Sequence, residues 1–439
     1  MGRPSETQLP AHDTKVDGSK SVLKVLFLTP AFPPFPGGGE RYAQSLALQL
    51  LRRECAVTIV TSRASWEQDF WQAAPDARQP SQATEAGLSV VRCPLRRMPG
   101  GRAGLLIWRK AMVLISAVPG DQSALLMNMA RLIPPLPGLD AVLSRLPDRF
   151  DVIHAFNLSW EYPMIEAWRL ARRTRAPLVL TPFAHLGTGK HDRVARNSTM
   201  DHQLRMLREA EAVLTLTDVE RQGLGERGVA LERMATVGGG LDDVPPLLDE
   251  KDILAHYHLA RPFVVFIGRA SYDKGALHAA ETMIRLHRQG VNLTLALIGS
   301  STPEFDSFLQ GIHPADRAVI RPLGVVPEAH KHTLLQASTL LVLPSRTDSF
   351  GIVILEAWAH GKPVIGARAG GIPDVIDEGR TGLLVSFGDV TGLAQAIGRL
   401  MQDDNLCREL GQQGQTKLAA EYTWKRVTEK VLAVYRRVS

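Results

Sequence analysis

A chain of 439 residues with 45% hydrophobic and 22% charged side chains has an ordinary globular composition. It is long enough for two α/β domains of roughly 200 residues each, which excludes a disordered or fibrous protein. Lysine and arginine (51) exceed aspartate and glutamate (45), a net charge of +6 that suits nucleotide phosphates, nucleic acid or an acidic membrane surface without choosing among them. Cys55, Cys93 and Cys407 lie far apart, form neither a disulfide framework nor a metal-ligand spacing, and read as buried or incidental thiols in a reducing compartment.

In chain order, residues 1–20 are polar, lack the apolar core of a secretory leader and read as a loose tail, so a cytoplasmic location is expected. Residues 22–29 (VLKVLFLT) form an apolar, β-branched run that predicts a buried strand. After the loop PAFPPFPGGG, the apolar positions Ala43, Leu46, Ala47, Leu50 and Leu51 mark one face of a helix over 40–51. A second strand at 56–61 completes a right-handed βαβ unit and predicts a parallel sheet. Further strands are expected at 88–92, 152–155, 178–181 and 213–217, and helical insertions over 100–147. The Pro- and acid-rich stretch 242–250 reads as a linker. The same grammar restarts with a strand at 264–268, a helix at 275–288, and strands at 293–298, 319–323, 339–343, 363–366 and 382–385. Two such halves imply a cleft, and ligands bind at the carboxyl ends of parallel strands.

Four segments carry chemistry. Gly37, Gly38 and Gly39 lie between the first strand and helix, where bare backbone amides and a helix dipole favour a phosphate. They do not form a dinucleotide fingerprint. The segment GRASYDKG (268–275) follows a strand and opens a helix, placing Arg269 and Lys274, read as an exposed helix-start cation, at one mouth as a diphosphate clamp. In PSRTDSFGIVILEA (344–357), Ser349 is the expected N-cap. Asp348 precedes the helix and Glu356 lies nearly two turns inside it among apolar neighbours. Sugar or ribose hydroxyls would partner such a carboxylate, and so would an internal salt bridge; for Asp348 the plain reading is capping. His185, at the end of TPFAH (181–185), and His154, at another strand end, compete as cleft histidines, and either is equally readable as structural.

With these residues in view, GRASYDKG, PSRTDSFGIVILEAWAHGKPVI and GGIPDVIDEGRTGLLV resemble the family-4 retaining glycosyltransferases of the GT-B fold. PGGGERYAQSLALQL, LTPFAHLG and YTWKRVTEKVLAVYRR extend the resemblance from about residue 22 to the C-terminus. It implies two Rossmann-like domains facing across a cleft: 21–245 on the acceptor side, 246–420 holding the nucleotide sugar, and a helix at 422–439 returning to the first. It implies that Arg269 and Lys274 hold the donor diphosphate and that backbone amides at Phe350, Gly351 and Ile352 bind phosphate or sugar oxygens. Gly38 and Gly39 would close over the phosphates. Glu356 would bind the donor ribose, with Asp348 and His185 beside the transferred sugar. Asp348 departs from the family's usual Glu, and Gly239-Gly240-Leu241-Asp242 from its usual N-G-V-D.

The expected reaction is transfer of a hexose or related sugar from a nucleoside diphosphate sugar to a hydroxyl of a sugar, glycolipid or small molecule, with retention. No cofactor, metal or nucleic acid partner is expected. Rival readings are a nucleotide-sugar epimerase of the same shape, a non-catalytic nucleotide-sugar-binding protein and, more weakly, a nicotinamide-dependent oxidoreductase. Residues 87–118 carry Arg92, Arg96, Arg97, Arg102, Arg109 and Lys110 and no acid, with Trp108 and an apolar helical pattern. They read either as peripheral contact with the inner face of a membrane or as a helix packed on the first domain with solvated arginines.

Overall fold

The computed structural model describes residues 22–72, 81–146, 149–187, 192–241 and 244–439. The expected tail at 1–20 and Asp242 of the linker lie outside the described residues. The N-terminal half is built on an eight-stranded sheet: β1 (Lys24–Leu28), β2 (Ala56–Ser62), β3 (Ser81–Glu85), β4 (Leu88–Cys93), β5 (Val152–Phe156), β6 (Leu178–Thr181), β7 (Ala212–Thr215) and β8 (Met234–Thr236). Their order is β3-β4-β2-β1-β5-β6-β7-β8, parallel throughout except for β3 against β4. The C-terminal half carries β9 (Phe263–Ile267), β10 (Thr294–Ile298), β11 (Ile320–Gly324), β12 (Leu340–Leu343), β13 (Val364–Ala367) and β14 (Leu383–Val385), in the order β11-β10-β9-β12-β13-β14, all parallel.

Helices cover the sheets, so the central strands lie in contact with protein on both faces and read as continuous apolar runs. All five residues of β9 (FVVFI) are buried, as are four of the five in β1. β1 and β9 are the points where strand order reverses in each sheet. The loops that leave their carboxyl ends, with those after β6 and β12, open onto the cleft.

The chain crosses between the halves twice, and the crossings touch: Leu241 N–H donates to the Tyr422 carbonyl at 2.8 Å. A Cβ at Gly239 would lie 2.7 Å from the Phe350 ring, and one at Gly240 2.8 Å from Trp424, so close packing at the crossing requires glycine. The helix Trp424–Val438 then packs on the N-terminal half, with Trp424 edge-on to Tyr42. His154 is fully buried beneath this helix, its Nδ1 2.6 Å from the Tyr435 hydroxyl and its Nε2 2.7 Å from Thr181. Burial pushes its pKa down to about 3. His154 is therefore a neutral core histidine rather than a cleft group.

The 100–147 region forms the helices Gly101–Ser116, Ser123–Met129 and Leu139–Ser144. In the first, Met112 is buried and the Trp108 indole N–H donates to the Met129 carbonyl at 2.9 Å. Arg109 turns inward to Glu161, which is fully buried and also bonded to His202. Arg92 pairs with Glu85 at 2.9 Å. The helix thus packs on the first domain, as one of the two sequence readings of 87–118 expects, but Arg92 and Arg109 are ion-paired rather than solvated and, with Trp108, turn inward.

Candidate active site

The helix Gly38–Leu51 begins at the glycine loop. The space a Cβ would take at Gly38 is open, while one at Gly39 would lie 3.1 Å from the Phe183 ring. Gly38 therefore leaves a backbone amide open to a phosphate, and Gly39 admits the aromatic loop after β6. Glu40 is buried in the first turn of the helix. Burial pushes its carboxyl up to about 7 against the pull of a backbone N–H, and Glu67 adds to the rise.

Across the cleft, Gly275 starts the helix Ala276–Arg288 at φ 76°, and a Cβ there would lie 2.0 Å from the Pro344 carbonyl. No residue with a side chain fits, so the loop after β9 is locked against the end of β12. Lys274 is consequently not exposed. Its ammonium lies 2.9 Å from Asp348 Oδ1, with both side chains mostly buried. Burial raises the Asp348 carboxyl, but the Lys274 ammonium overcomes it and holds the group below its usual range. Arg269 is half exposed and reaches across the cleft to Glu67 at 2.6 Å.

The helix carrying Glu356 runs Ile352–Ala359 and starts from Gly351 at φ 86°, so Gly351, not Ser349, occupies the N-cap. The tight left-handed turn takes the place of a hydroxyl cap. Ile354 N–H donates to the Gly351 carbonyl at 2.9 Å, which leaves the N–H groups of Ile352 and Val353 at the helix start without an intrahelical acceptor. The Phe350 ring is buried against Tyr422 at the domain crossing, which leaves only its backbone for a ligand.

Glu356 is 5% exposed, and its Oε1 accepts from Lys331 Nζ at 2.7 Å. Lys331 also bonds Glu328 at 2.8 Å, and Glu328 pairs across the domains with Arg41. Burial raises Glu328, yet Arg41 and Lys331 bring its carboxyl down to about 2. A cavity of about 410 Å³ opens here between the halves, lined by Arg41, Tyr42, Pro245, Glu328, His332 and Glu356 among others. Ligand atoms of Glu328, His332 and Glu356 lie within 4.8 Å of one another, a spacing that suits a metal. The Lys331 ammonium already sits between the two carboxylates, so the cation position is filled by a side chain.

His185 lies on the loop after β6. Burial and the nearby Lys274 push its imidazole down to about 4, with Asp348 opposing. Among the described residues, His185 Nδ1, Asp348 Oδ2, Glu356 Oε2 and Ser271 Oγ are buried polar atoms without a hydrogen-bond partner. Leaving such an atom unsatisfied costs about 1–3 kcal/mol, and all four belong to loops or helices that leave the carboxyl ends of β6, β9 and β12.

Two segments match known glycosyltransferase families: residues 37–240 a "glycosyl transferase 4-like domain" and residues 261–403 "glycosyl transferases group 1". D-inositol 3-phosphate glycosyltransferase of Acidothermus cellulolyticus is 30% identical over 322 residues, 68% of this chain and 69% of that protein. The chain belongs to the family-4 glycosyltransferases. Alpha-maltose-1-phosphate synthase of Mycolicibacterium smegmatis is 32% identical over 249 residues, 52% of this chain and 64% of that enzyme. N-acetyl-alpha-D-glucosaminyl L-malate synthase of Bacillus anthracis is 36% identical over 148 residues, 33% of this chain and 38% of that enzyme. The chain thus spans less than two thirds of the length of these last two. The fold is GT-B. Sucrose-phosphate synthase from Thermosynechococcus elongatus superposes with a TM-score of 0.67 at 19% identity, covering 95% of this chain and 98% of that one. Anabaena HepE in complex with UDP-glucose does so with 0.67 at 17%, covering 94% and 100%.

Three residues of the cleft carry no motif and are not legible in the sequence. Glu220 is buried and ties the loops after β6 and β7 together, accepting from Ala184 N–H at 2.6 Å and Leu216 N–H at 2.8 Å, and so fixes the loop that carries His185. Glu67 engages Arg269, and Lys331 engages Glu356. Each pairs with a residue distant in sequence, so local spacing gives no signal of it. Gly371 N–H donates to the Asp348 carbonyl at 2.8 Å, and Gly370 N–H to the Gly187 carbonyl at 3.0 Å, closing the cleft's far side.

Proposed function

We propose that the chain transfers a sugar from a nucleoside diphosphate sugar to an acceptor hydroxyl with retention of anomeric configuration. The observation that carries this reading is the set of unpartnered buried atoms at His185, Ser271, Asp348 and Glu356, in a cleft that also holds two cations and two helix N-termini. Hydroxyls of a sugar and a ribose satisfy such atoms, and a diphosphate matches the cations. On this reading the diphosphate lies between Gly38 and the start of the Ile352–Ala359 helix, with Lys274 and Arg269 offsetting the charge that develops as the glycosidic bond breaks. Arg269 exchanges Glu67 for the phosphate. Glu356 Oε2 accepts from the ribose, while Lys331 keeps the other oxygen fixed.

Asp348, tied to Lys274 and one methylene shorter than Glu, meets the sugar through Oδ2. His185 is neutral at physiological pH because its pKa lies near 4, so it acts as a hydrogen-bond partner of a sugar hydroxyl rather than as a cationic acid. The acceptor enters on the face from which the diphosphate leaves, and the leaving phosphate oxygen takes the acceptor's proton. The same proposal places the chain beside a membrane rather than across it. No helix among the described residues is long and apolar enough to span one, and the exposed Arg96, Arg97, Arg102 and Lys110 support peripheral contact.

The test is incubation with a panel of nucleoside diphosphate sugars, with and without EDTA, following release of the free diphosphate and the configuration of the product. Release with a retained α-linkage from an α-donor, undiminished by EDTA, is expected. A new nucleotide sugar without release would identify an epimerase, and binding without turnover a sensor. Loss of activity in EDTA that Mg²⁺ restores would overturn the assignment of leaving-group stabilisation to Arg269 and Lys274.

A further inference from the structure

We infer that the outer face of the helix Gly101–Ser116 is a docking surface for an anionic lipid bilayer, and that it brings the cleft to an acceptor hydroxyl carried at that bilayer. The second part rests on the transfer reaction proposed above. The helix carries apolar side chains on both faces: Leu105, Trp108, Met112, Val113 and Ile115 pack on the core of the N-terminal half, while Leu106, Ile107 and Leu114 point outward. Arg109 is bound to buried Glu161 and to the Asn197 carbonyl, and Trp108 to the Met129 carbonyl, so the inner face is anchored by polar contacts. Leu106, Ile107, Leu114 and Val118 are 60%, 70%, 61% and 52% exposed. With exposed Lys110 they recur at helical spacing along one stripe that nothing among the described residues covers.

Charge selects the occupant. Arg96, Arg97 and Arg102 are exposed at the start of this helix, and no acid occurs between residues 87 and 118. A second copy of the chain laid on this face would set Arg102 and Lys110 against like charges. An anionic leaflet complements them and accepts the apolar stripe between its headgroups. The face also lies next to the cleft. The helix Asp69–Gln72 packs against Gly101–Ser116, and Met98 N–H donates to the Trp71 carbonyl at 3.3 Å. The turn just before that short helix carries Trp66, 48% exposed, and Glu67, the partner of Arg269. One short helix therefore separates the bilayer surface from the diphosphate cations.

The experiment is flotation of the full chain with vesicles of phosphatidylglycerol or of phosphatidylcholine, at low and high salt. Wild-type protein is expected to float with phosphatidylglycerol at low salt and to stay behind with phosphatidylcholine. Each basic residue near the leaflet contributes about fivefold in partitioning, so R102E/K110E should lower it by at least about 25-fold. L106D/I107D should lower it by at least tenfold at either salt while leaving nucleotide-induced thermal stabilisation unchanged, which also reports that the variant folds. Wild-type protein that stays unbound at low salt overturns the inference. So does a light-scattering dimer that L106D/I107D dissociates, since the stripe would then be a self-interface. Because donor binding is read separately by thermal shift, failure to float leaves the transfer reading standing. Flotation without any nucleotide-sugar binding would sink the reading and keep the surface. Transfer to a hydroxyl on a vesicle-borne acceptor should fall in parallel with flotation in L106D/I107D; transfer to it that is unchanged in this variant overturns the acceptor's placement.

Discussion

Lys274 and Asp348 hold each other at 2.9 Å in a largely buried pair, and the ammonium keeps the Asp348 carboxyl ionised against its burial. Lys274→Ala removes one of two cations facing the leaving diphosphate and should lower turnover by about 10²-fold, with donor affinity falling less. Steady-state kinetics on the variant check this, and wild-type turnover would contradict it. Asp348→Glu restores the family's usual acid and should shift preference among sugars sharing one nucleotide. Glu356 was read as either a ribose ligand or a salt-bridge residue, and the structure shows that its two oxygens are in different situations. Oε1 is held by Lys331, while Oε2 is buried and free. Glu356→Gln should therefore do two things. It should weaken nucleotide binding at least tenfold and lower the melting temperature, because Lys331 loses a buried counter-charge, a change that costs about 3–5 kcal/mol. Lys331→Met should reproduce the loss of stability with a smaller loss of affinity, and titration calorimetry with nucleoside diphosphate separates the two. For His185, a pKa near 4 means that the imidazole is already neutral at pH 6. The acid limb it imposes on kcat/KM should lie near pH 4, and a limb near 6.5 assigned to His185 would refute its burial.

At the level of elements, the helix Gly101–Ser116 stays on the domain through Arg109, Glu161 and His202. Glu161 is fully buried; burial raises its carboxyl, and Arg109 and His202 together bring it below its usual value. A carboxylate with a lowered folded-state pKa adds stability that is present above about pH 4.5 and is lost as the pH falls through the folded value. Glu161→Gln should accordingly lower the melting temperature at pH 7 by the equivalent of several kcal/mol, and the difference from wild type should shrink in acid. Circular dichroism melts across pH 3 to 7 measure it. The strands of both sheets were legible because buried parallel strands are written as unbroken apolar runs, as in FVVFI of β9. β3 was not, because its sequence SQATE is a polar, mostly exposed antiparallel edge held by the Ala86-Gly87 turn. β8 has only three residues, too few for a period to show. Ser349 was taken for the cap on its hydroxyl alone; the left-handed turn at Gly351 starts the helix instead. Lys274, Asp348 and Glu356 are legible as candidates because they sit at fixed spacing on elements the sequence defines. Glu67, Glu220 and Lys331 act through partners 202, 36 and 25 residues away, a relation only the folded chain contains.

Across the whole molecule, the cleft is bridged by Arg269 to Glu67, by Arg41 to Glu328 and by the Gly370–Gly187 backbone bond. The first of these uses a cation assigned to the diphosphate in the proposed function, and on that proposal binding and the bridge compete. Glu67→Gln should tighten nucleoside diphosphate binding by about two- to fivefold, the scale of an exposed ion pair. Unchanged affinity would show that Arg269 does not reach the diphosphate. The returning helix Trp424–Val438 has a different kind of consequence. Its residues follow the C-terminal half in sequence, yet Trp424 and Tyr435 are part of the N-terminal half's interior through Tyr42 and His154. The domains are therefore not two consecutive lengths of chain, and a single-junction hybrid with a relative would separate the last helix from the surface that moulds it. Recombination that exchanges the C-terminal half between two such chains has to cut twice, near the paired crossings at Leu241 and Tyr422, with the terminal helix inherited from the parent that supplies the N-terminal half.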